Sequence, residues 1–249
     1  MTLATRAADL ARRTQRPMAL EPGSYTVVLS PVAMATLVGA IAQWGGLDAR
    51  QAEQGRSAFA RGGGKTAVGE RVCDERVTLS ADPMDTDGGF LPFAVRGRGV
   101  EQFRAVTWVN GGVLQTLAWD ATYAKVRGRA PVANAGALRM GGGGGTTDAL
   151  VASVPRGIYV SRFTDVSLVS LRTMLMTGET RDGTFLIERG AITRPVKNLR
   201  FQDSPMRVLR ALERISGAER VAVGGGGSPL VMPAAVVRDF QFTALSDRV

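Results

Sequence analysis

Few side chains in this sequence could carry chemistry, because its 249 residues include no histidine and a single cysteine, Cys73. Without imidazole the chain cannot build a Ser-His-Asp triad, a Cys-His nucleophile pair or an HExxH zinc motif. One thiol and a set of carboxylates are a poor donor set for tetrahedral zinc. The sequence therefore predicts no catalytic residue and no metal ligand in this chain, and its substrate-binding residues are unknown.

Three aspartates, Asp82, Asp85 and Asp87, stand close together before Gly88 and invite comparison with a calcium loop. Their spacing does not match that of an EF-hand. Aspartates beside a proline commonly cap their own backbone in turns. The pattern favours turn-forming residues over a calcium site.

Glycine-rich stretches are candidate phosphate sites. The stretch "GGGKT" at 62–66 resembles the end of a P-loop, but Phe59 occupies the position of the first glycine and no apolar strand precedes it. The run Gly141–Gly145 precedes a short helix with a threonine cap, where an anion could bind. Without a preceding strand or a nearby lysine, the pattern favours a flexible loop. The run Gly224–Gly227 is interpreted in the same way.

The charge of the chain is basic, with 31 Lys and Arg against 22 Asp and Glu and a formal net charge of +9. The arginines are scattered and never form a run of five or six, which favours a solvated surface. Trp108 and Trp119 flank an Asn110-Gly111 turn, so we expect them to pack in the sheet rather than stack on bases. Nucleic-acid binding is therefore an unlikely function that rests on charge alone.

The N-terminal segment lacks the apolar core of a signal peptide. The longest apolar stretch, residues 25–44, is interrupted by Ser30-Pro31, which makes it too short to span a membrane. A single cysteine excludes an internal disulfide and suits a reducing compartment. We expect a soluble, cytoplasmic chain that does not contact a membrane.

Local signals predict an α+β fold, in which a largely antiparallel β-sheet domain carries a few short helices. Residues 1–20 form a helical lead-in, with an amphipathic helix over 2–15, and residues 21–249 form the β-rich domain. Ser30 is a helix N-cap and Pro31 the first helical residue. Further predicted elements are strands at Tyr25–Leu29, Val77–Leu79 and 236–245, helices at 31–43 and 204–217, and hairpins at Asn110-Gly111 and at Arg189-Gly190. The apolar face of the 204–217 helix is predicted to consist of Val208, Leu209, Leu212 and Ile215. Its outer face is predicted to carry Arg207, Arg210 and Arg214. Gly217 is predicted to end the helix.

A set of sequence stretches occurs in the order typical of one protein family. They are "LEPGSYTVVLSP", "EQGRSAF", "VGERVCDERVTLSADP", "GIYV", "TGETRDGTFLIERGAITRPVKNLRF", "SPMRVLRALERI" and "PAAVVRDFQFTAL", which run from Pro22 to Leu245. This set resembles the C-terminal domain of the TldD/PmbA (modulator of DNA gyrase) metallopeptidases. The resemblance implies the fold of that domain.

The resemblance also implies a complex of two kinds of subunit. A TldD-like subunit holds zinc through an HExxxH motif, whereas a TldE/PmbA-type subunit has lost the ligands. This chain is closer to the second type, because it lacks histidine and because "GGGGSPLVMPA" at 224–234 has no cysteine where a zinc ligand is expected. We therefore expect no cofactor in this chain and zinc in a TldD-like partner.

The implied function is that of a non-catalytic subunit acting on unfolded or small peptides or on peptide-derived natural products. The alternative is a non-proteolytic peptide-binding or scaffolding module. The implied partners are a TldD-like subunit in a heterodimer, or else a second copy in a homodimer, together with a peptide substrate. Apolar surface left uncovered by a missing partner would mark the interface.

Three features depart from the family pattern. Ala94, in "LPFAVRGRGVEQF", stands where an acidic residue is typical, and the glycine runs are longer than expected. Family members are also nearly twice as long, with a further N-terminal domain. The substitution at Ala94 leaves any substrate contact of that stretch unassigned.

Overall fold

The computed structural model describes residues 3–86, 95–96, 101–102, 104–133, 138–222 and 230–246. Its helices are α1 (Leu3–Arg13), α2 (Pro31–Gln43), α3 (Ala49–Glu53), α4 (Ala121–Val126), α5 (Thr147–Ala152) and α6 (Pro205–Arg210). Its strands are β1 (Gly23–Leu29), β2 (Leu79–Ala81), β3 (Val95–Arg96), β4 (Glu101–Gln102), β5 (Val106–Asn110), β6 (Val113–Leu114), β7 (Leu138–Met140), β8 (Arg156–Ser170), β9 (Leu175–Glu188), β10 (Ala191–Pro195), β11 (Leu199–Asp203), β12 (Leu212–Val221) and β13 (Leu230–Leu245).

Five strands of the main sheet close into a ring, because β1 pairs with both β8 and β13. Around the ring the order is β1, β8, β9, β11 and β13, and all neighbours are antiparallel except β1 and β8. Beyond β13 the sheet continues through β7, β2, β5 and β6. The predicted α+β fold is confirmed, although the parallel pairs β1–β8 and β7–β13 make the sheet mixed.

Aromatic side chains from four of the ring strands pack together. The rings of Phe163, Phe201 and Phe240 have centroids 4.6 to 5.7 Å apart, and Phe242 lies 5.1 Å from Phe240. All four phenylalanines are buried, and Tyr25 of β1 reaches Phe242 at 6.2 Å. Large aromatic rings contribute much buried apolar area per residue, so this cluster joins the ring strands into one core.

Helix α2 packs across this core, as its capping signals predict. The backbone N–H of Ala33 donates to Ser30 Oγ at 3.1 Å, and Pro31 is the first helical residue. Nine of its 13 residues are buried, and it contacts β13 and β8. An N-cap hydroxyl satisfies a free N–H of the first turn, so the cap fixes where the helix begins.

The Asn110-Gly111 hairpin is confirmed, with Gly111 and Gly112 as the two turn residues at positive φ. Positive φ at both positions is what a type I′ turn requires. The prediction of a strand at Val77–Leu79 is wrong in its bounds, since β2 begins at Leu79. Val77 precedes the strand and its carbonyl accepts a hydrogen bond from Gly112 N at 2.8 Å.

The predicted helix over 204–217 is wrong beyond Arg210. Helix α6 begins after the Ser204 cap as expected, but residues 212–221 form β12, which pairs with β13. The apolar residues Leu212 and Ile215 are spaced for a helix, yet pairing with a long central strand buries both of them. Gly217, predicted to end the helix, lies inside β12 and donates to Gly145 O at 3.0 Å. The arginines of α6 are also not merely solvated, because Arg210 Nε donates to Val72 O at 2.8 Å.

The hairpin at Arg189-Gly190 is confirmed, with φ of 51° and 76° at the two turn residues. Strand β9 before this turn runs over 14 residues, because its first half pairs with β11 and its whole length with β8. The terminal strand is likewise confirmed and longer, at 16 residues.

The amphipathic helix predicted over 2–15 is confirmed as α1, and the lead-in packs against the ring. Arg13 lies over the ring of Phe185 at 5.3 Å, and Met18 makes a parallel bridge with Val196. The division at residue 20 stays a prediction. Within the described ranges, no helix has the length and apolarity needed to cross a membrane.

Candidate functional site

Cys73 is a structural residue. It is 4% exposed, and its Sγ lies 3.9 Å from the carbonyl oxygen of Gly112. Burial raises the pKa of this thiol from 9.0 to about 12, so it stays protonated at neutral pH. The thiolate is the form that acts as nucleophile or metal ligand, so the raised pKa disfavours both roles for Cys73.

The aspartates before Gly88 have local roles. Asp82 accepts a hydrogen bond from the backbone N–H of Met84 at 2.8 Å, which confirms its predicted role in a turn. Asp85 pairs with Arg139 at 2.5 Å, whereas Asp87 lies outside the described residues. In the part of the chain that the structure describes, no three His, Cys, Asp or Glu side chains come together as metal ligands.

The "GGGKT" stretch and the two tryptophans fit their predicted structural roles. Gly62–Gly64 forms a single 3-10 turn and Lys65 is exposed after it, with the short helix α3 rather than a strand upstream. Trp108 is fully buried in the core. Trp119 is buried as well and stacks on Tyr123 with 5.8 Å between ring centroids. Neither indole is placed as an exposed platform for a base.

The run Gly141–Gly145 is not the freely flexible loop that we predicted. Gly143 N donates to Ser216 O at 2.8 Å, so the run lies along the free edge of β12. A Cβ on Gly142 would lie 2.5 Å from Ala218 N, and one on Gly143 would lie 2.5 Å from Ile215 O. Two backbones this close leave no room for side chains, which explains the glycines without an anion.

A cavity of about 370 Å³ lies between the lead-in and the ring. Four separate segments line it: Thr14 and Pro17 after α1, residues 181–184 in β9, residues 196–198 between β10 and β11, and residues 245–246 at the end of β13. We call this space the lead-in cavity. It is the candidate binding site because polar, charged and apolar groups converge on it.

The backbone of β9 bulges where it lines the lead-in cavity. Asp182 and Gly183 have φ of 56° and 128°, and the register between β8 and β9 shifts at this point. A Cβ on Gly183 would lie 2.7 Å from Ser161 Oγ and 2.8 Å from the Phe185 ring. Only glycine fits this position, so the bulge that shapes the cavity depends on it.

Buried polar side chains form a hydrogen-bonded floor under the lead-in cavity. Thr184 Oγ1 donates to Thr180 Oγ1 at 2.7 Å, and Ser246 Oγ donates to Glu179 Oε2 at 2.7 Å. The other carboxylate oxygen of Glu179 accepts from Arg200 Nη2 at 2.9 Å. Glu179, Thr180, Thr184 and Ser246 are all buried. Satisfied buried networks of this kind are rigid, so the floor is held in place before any ligand arrives.

The charges at the lead-in cavity are two cations and one carboxylate. Asp182 already pairs with Arg162 and lies 3.8 Å from Arg181. Lys197 is exposed and has no ion-pair partner among the described residues. The lining therefore carries a net positive charge that its own carboxylate does not neutralise.

Sequence reasoning placed the segment 177–201 in a hairpin and missed the cavity. One signal for it was available, because Asp182-Gly183 interrupts an otherwise strand-like stretch and such a pair indicates a bulge. The convergence of Thr14, Lys197 and Ser246 had no signal, since these residues are distant in the chain.

The chain also matches a known family. A model of the PmbA/TldD proteins, described as the PmbA/TldA metallopeptidase C-terminal domain, matches residues 22–244. The chain belongs to the PmbA/TldD family.

Three of the solved structures that share the fold of this PmbA/TldD chain come from different organisms, and each alignment covers 97% of this chain. A protein of Bacteroides thetaiotaomicron described as a modulator of DNA gyrase has a TM-score of 0.78 at 22% identity. TldE from Thermococcus kodakarensis has a TM-score of 0.79 at 16% identity. A Thermotoga maritima protein described as a modulator of a DNA gyrase has a TM-score of 0.80 at 17% identity. The chain covers 52%, 55% and 54% of these proteins, about half of their length. No curated protein sequence matches it.

The residues present in this PmbA/TldD chain do not fit a zinc ion. The sequence has no imidazole, and its one thiol is buried and protonated at neutral pH. Two positions that matter to the family pattern, Ala94 and most of the glycine-rich stretch before Leu230, lie outside the described residues. No zinc-dependent step is derived through this chain.

Proposed function

We propose that this chain is a non-catalytic, TldE/PmbA-type subunit of a heteromeric zinc metallopeptidase. A TldD-like partner holds the metal, and the complex acts on unfolded or small peptides or on peptide-derived natural products. The observation that carries the proposal is a PmbA/TldD C-terminal domain whose 249 residues include no histidine. Such a chain contributes binding surface rather than zinc ligands.

An open strand edge supports a role in peptide binding. Strand β8 pairs with β1 only over Ile158–Val160, whereas its pairing with β9 continues to Ser170. Within the described residues, the edge of β8 that faces away from β9 has no strand partner from Arg162 onward. An extended peptide can add to such an edge through main-chain hydrogen bonds with little sequence selectivity.

The test is co-expression with a TldD-like protein that carries HExxxH. We expect the two chains to co-purify, with zinc bound in the complex and unstructured peptides cleaved. The isolated chain should hold no stoichiometric zinc by elemental analysis and cleave nothing. A complex whose partner has both motif histidines replaced by alanine is the matched control, and it should assemble without activity.

Two results would contradict the proposal. One is a tightly held zinc ion in the isolated chain. The other is a TldD-like protein that cleaves the same peptides equally well when this chain is omitted.

A non-proteolytic peptide-binding or scaffolding role is the second candidate. The open edge of β8 and the lead-in cavity favour it, because neither feature requires a metal to bind a peptide. A complex that binds peptides and leaves them intact over a long incubation would support this role instead.

A further inference from the structure

We propose that the lead-in cavity binds the C-terminal carboxylate of a short peptide, with the terminal side chain against its apolar wall. This inference rests on the proposed peptide function and adds to it a defined site and the end of the peptide that is recognised. Capture of a free terminus is a common mode of peptide recognition. It differs from edge pairing because it requires a free carboxylate.

The charge of the lining selects for an anionic group. Arg181 and Lys197 line the cavity, and Asp182 pairs with Arg162 and also lies 3.8 Å from Arg181, so Lys197 is the cation that the lining carboxylate does not engage. Lys197 lacks an ion-pair partner in the described part of the chain, so its ammonium is available to a ligand. Hydrogen bonds from charged donors to a carboxylate are roughly twice as strong as neutral ones.

The size and the wall of the cavity suit the last residues of a peptide. A volume of about 370 Å³ is at the small end of the range of ligand sites. Pro17, Val196 and Leu245 line it with apolar groups, and Leu245 is 38% exposed. A terminal leucine would cover this wall while its carboxylate meets the two cations.

The site is also held in shape without a ligand. Thr184 and Ser246 line the cavity and are each tied by a buried hydrogen bond to a neighbour in the floor. Gly183 fixes the bulge of β9 between them and the cations. A preformed site loses little conformational freedom on binding, which favours affinity for a small ligand.

The experiment is calorimetric titration of the full chain with acetyl-Ala-Ala-Leu as the free acid and as the C-terminal amide. We expect the acid to bind about tenfold or more tightly than the amide, since the amide lacks the charge. Acetyl-Ala-Ala-Gly acid tests the apolar wall and should bind more weakly than the leucine peptide. Acetate alone distinguishes a general anion site, and it should compete only at far higher concentration.

The decisive variant is Lys197→Gln, and the control is Lys125→Gln at another exposed lysine, on α4. Lys197→Gln keeps the backbone hydrogen bond from residue 197 N to Met18 O. It should lower the affinity for the free-acid peptide about tenfold and leave the affinity for the amide unchanged. Lys125→Gln should bind as the parent does. Thermal melting of both variants checks that each is folded.

Equal affinity for acid and amide, or equal affinity of the two lysine variants for the acid, would overturn the inference. Such a result would leave the proposed function standing if the complex with a TldD-like partner still cleaves peptides. Conversely, a chain that binds the acid selectively but forms no complex with a TldD-like protein would support the binding site and contradict the proposed peptidase role.

Discussion

Asp203, at the end of β11, accepts hydrogen bonds from helix α6 with its N-cap and from strand β13. Its carboxylate accepts hydrogen bonds from two guanidinium nitrogens of Arg207 in α6. It also accepts from the backbone N–H of Ser204 at 2.7 Å and from that of Gln241 in β13 at 3.2 Å. The residue is 3% exposed. A buried charge is tolerated only when it is paired and fully hydrogen-bonded, and Asp203 meets that condition.

We expect Asp203→Asn to destabilise the fold by about 3 kcal/mol, because it leaves the Arg207 guanidinium without its charge partner. Urea unfolding of the variant measures this loss. The control is Glu213→Gln, which breaks the exposed pair with Arg238 and should cost less than about 1 kcal/mol. Equal effects of the two substitutions would show that Asp203 is no more than a surface charge.

Elements whose ends are set by local chemistry were predictable from the sequence. Ser30-Pro31 fixes the start of α2, Thr146 caps α5, and Arg189-Gly190 makes the turn between β9 and β10. In each case one or two residues satisfy the backbone groups at the boundary. The expectation that Cys73 holds no zinc stays a prediction.

Elements that depend on distant partners were not predictable. Strand β12 has helix-like spacing, and only its pairing with β13 makes it a strand. The closure of the ring joins β1 to β13, more than 200 positions apart along the sequence, which no local pattern records. The lead-in cavity is hidden for the same reason, since Thr14, Lys197 and Ser246 are far apart in the chain and meet only in the folded protein.

The contact between the glycine run and β12 gives a test at the scale of elements. We expect Gly142→Ala to destabilise by about 1–3 kcal/mol, because its Cβ would press on the backbone at Ala218 and Ser216. Gly144→Ala is the matched control, as a Cβ there meets nothing within 4 Å. It should be neutral or stabilising by up to about 1 kcal/mol. Denaturant melts that rank the two variants the other way would refute the packing of this run.

The apolar surface that we expected at a missing partner stays a prediction, and the exposed hydrophobic residues are where to look for it. Among the described residues, the large hydrophobic side chains that are exposed are Val68, Met84, Val126, Val169 and Leu245. They belong to five separate parts of the chain. Val169 stands on the open stretch of β8, and long unpaired edges are usually covered in native proteins. A partner is therefore expected to cover this strand edge.

The net charge of +9 bears on which partner is preferred. Two copies of this chain repel each other at low ionic strength, whereas any partner with a net negative charge is attracted. We expect sedimentation at micromolar concentration and low salt to give a heterodimer with the TldD-like partner. The chain alone should self-associate only as added salt screens the repulsion. A chain that stays monomeric at every salt concentration and ignores the TldD-like partner would contradict the oligomer and favour the scaffolding role.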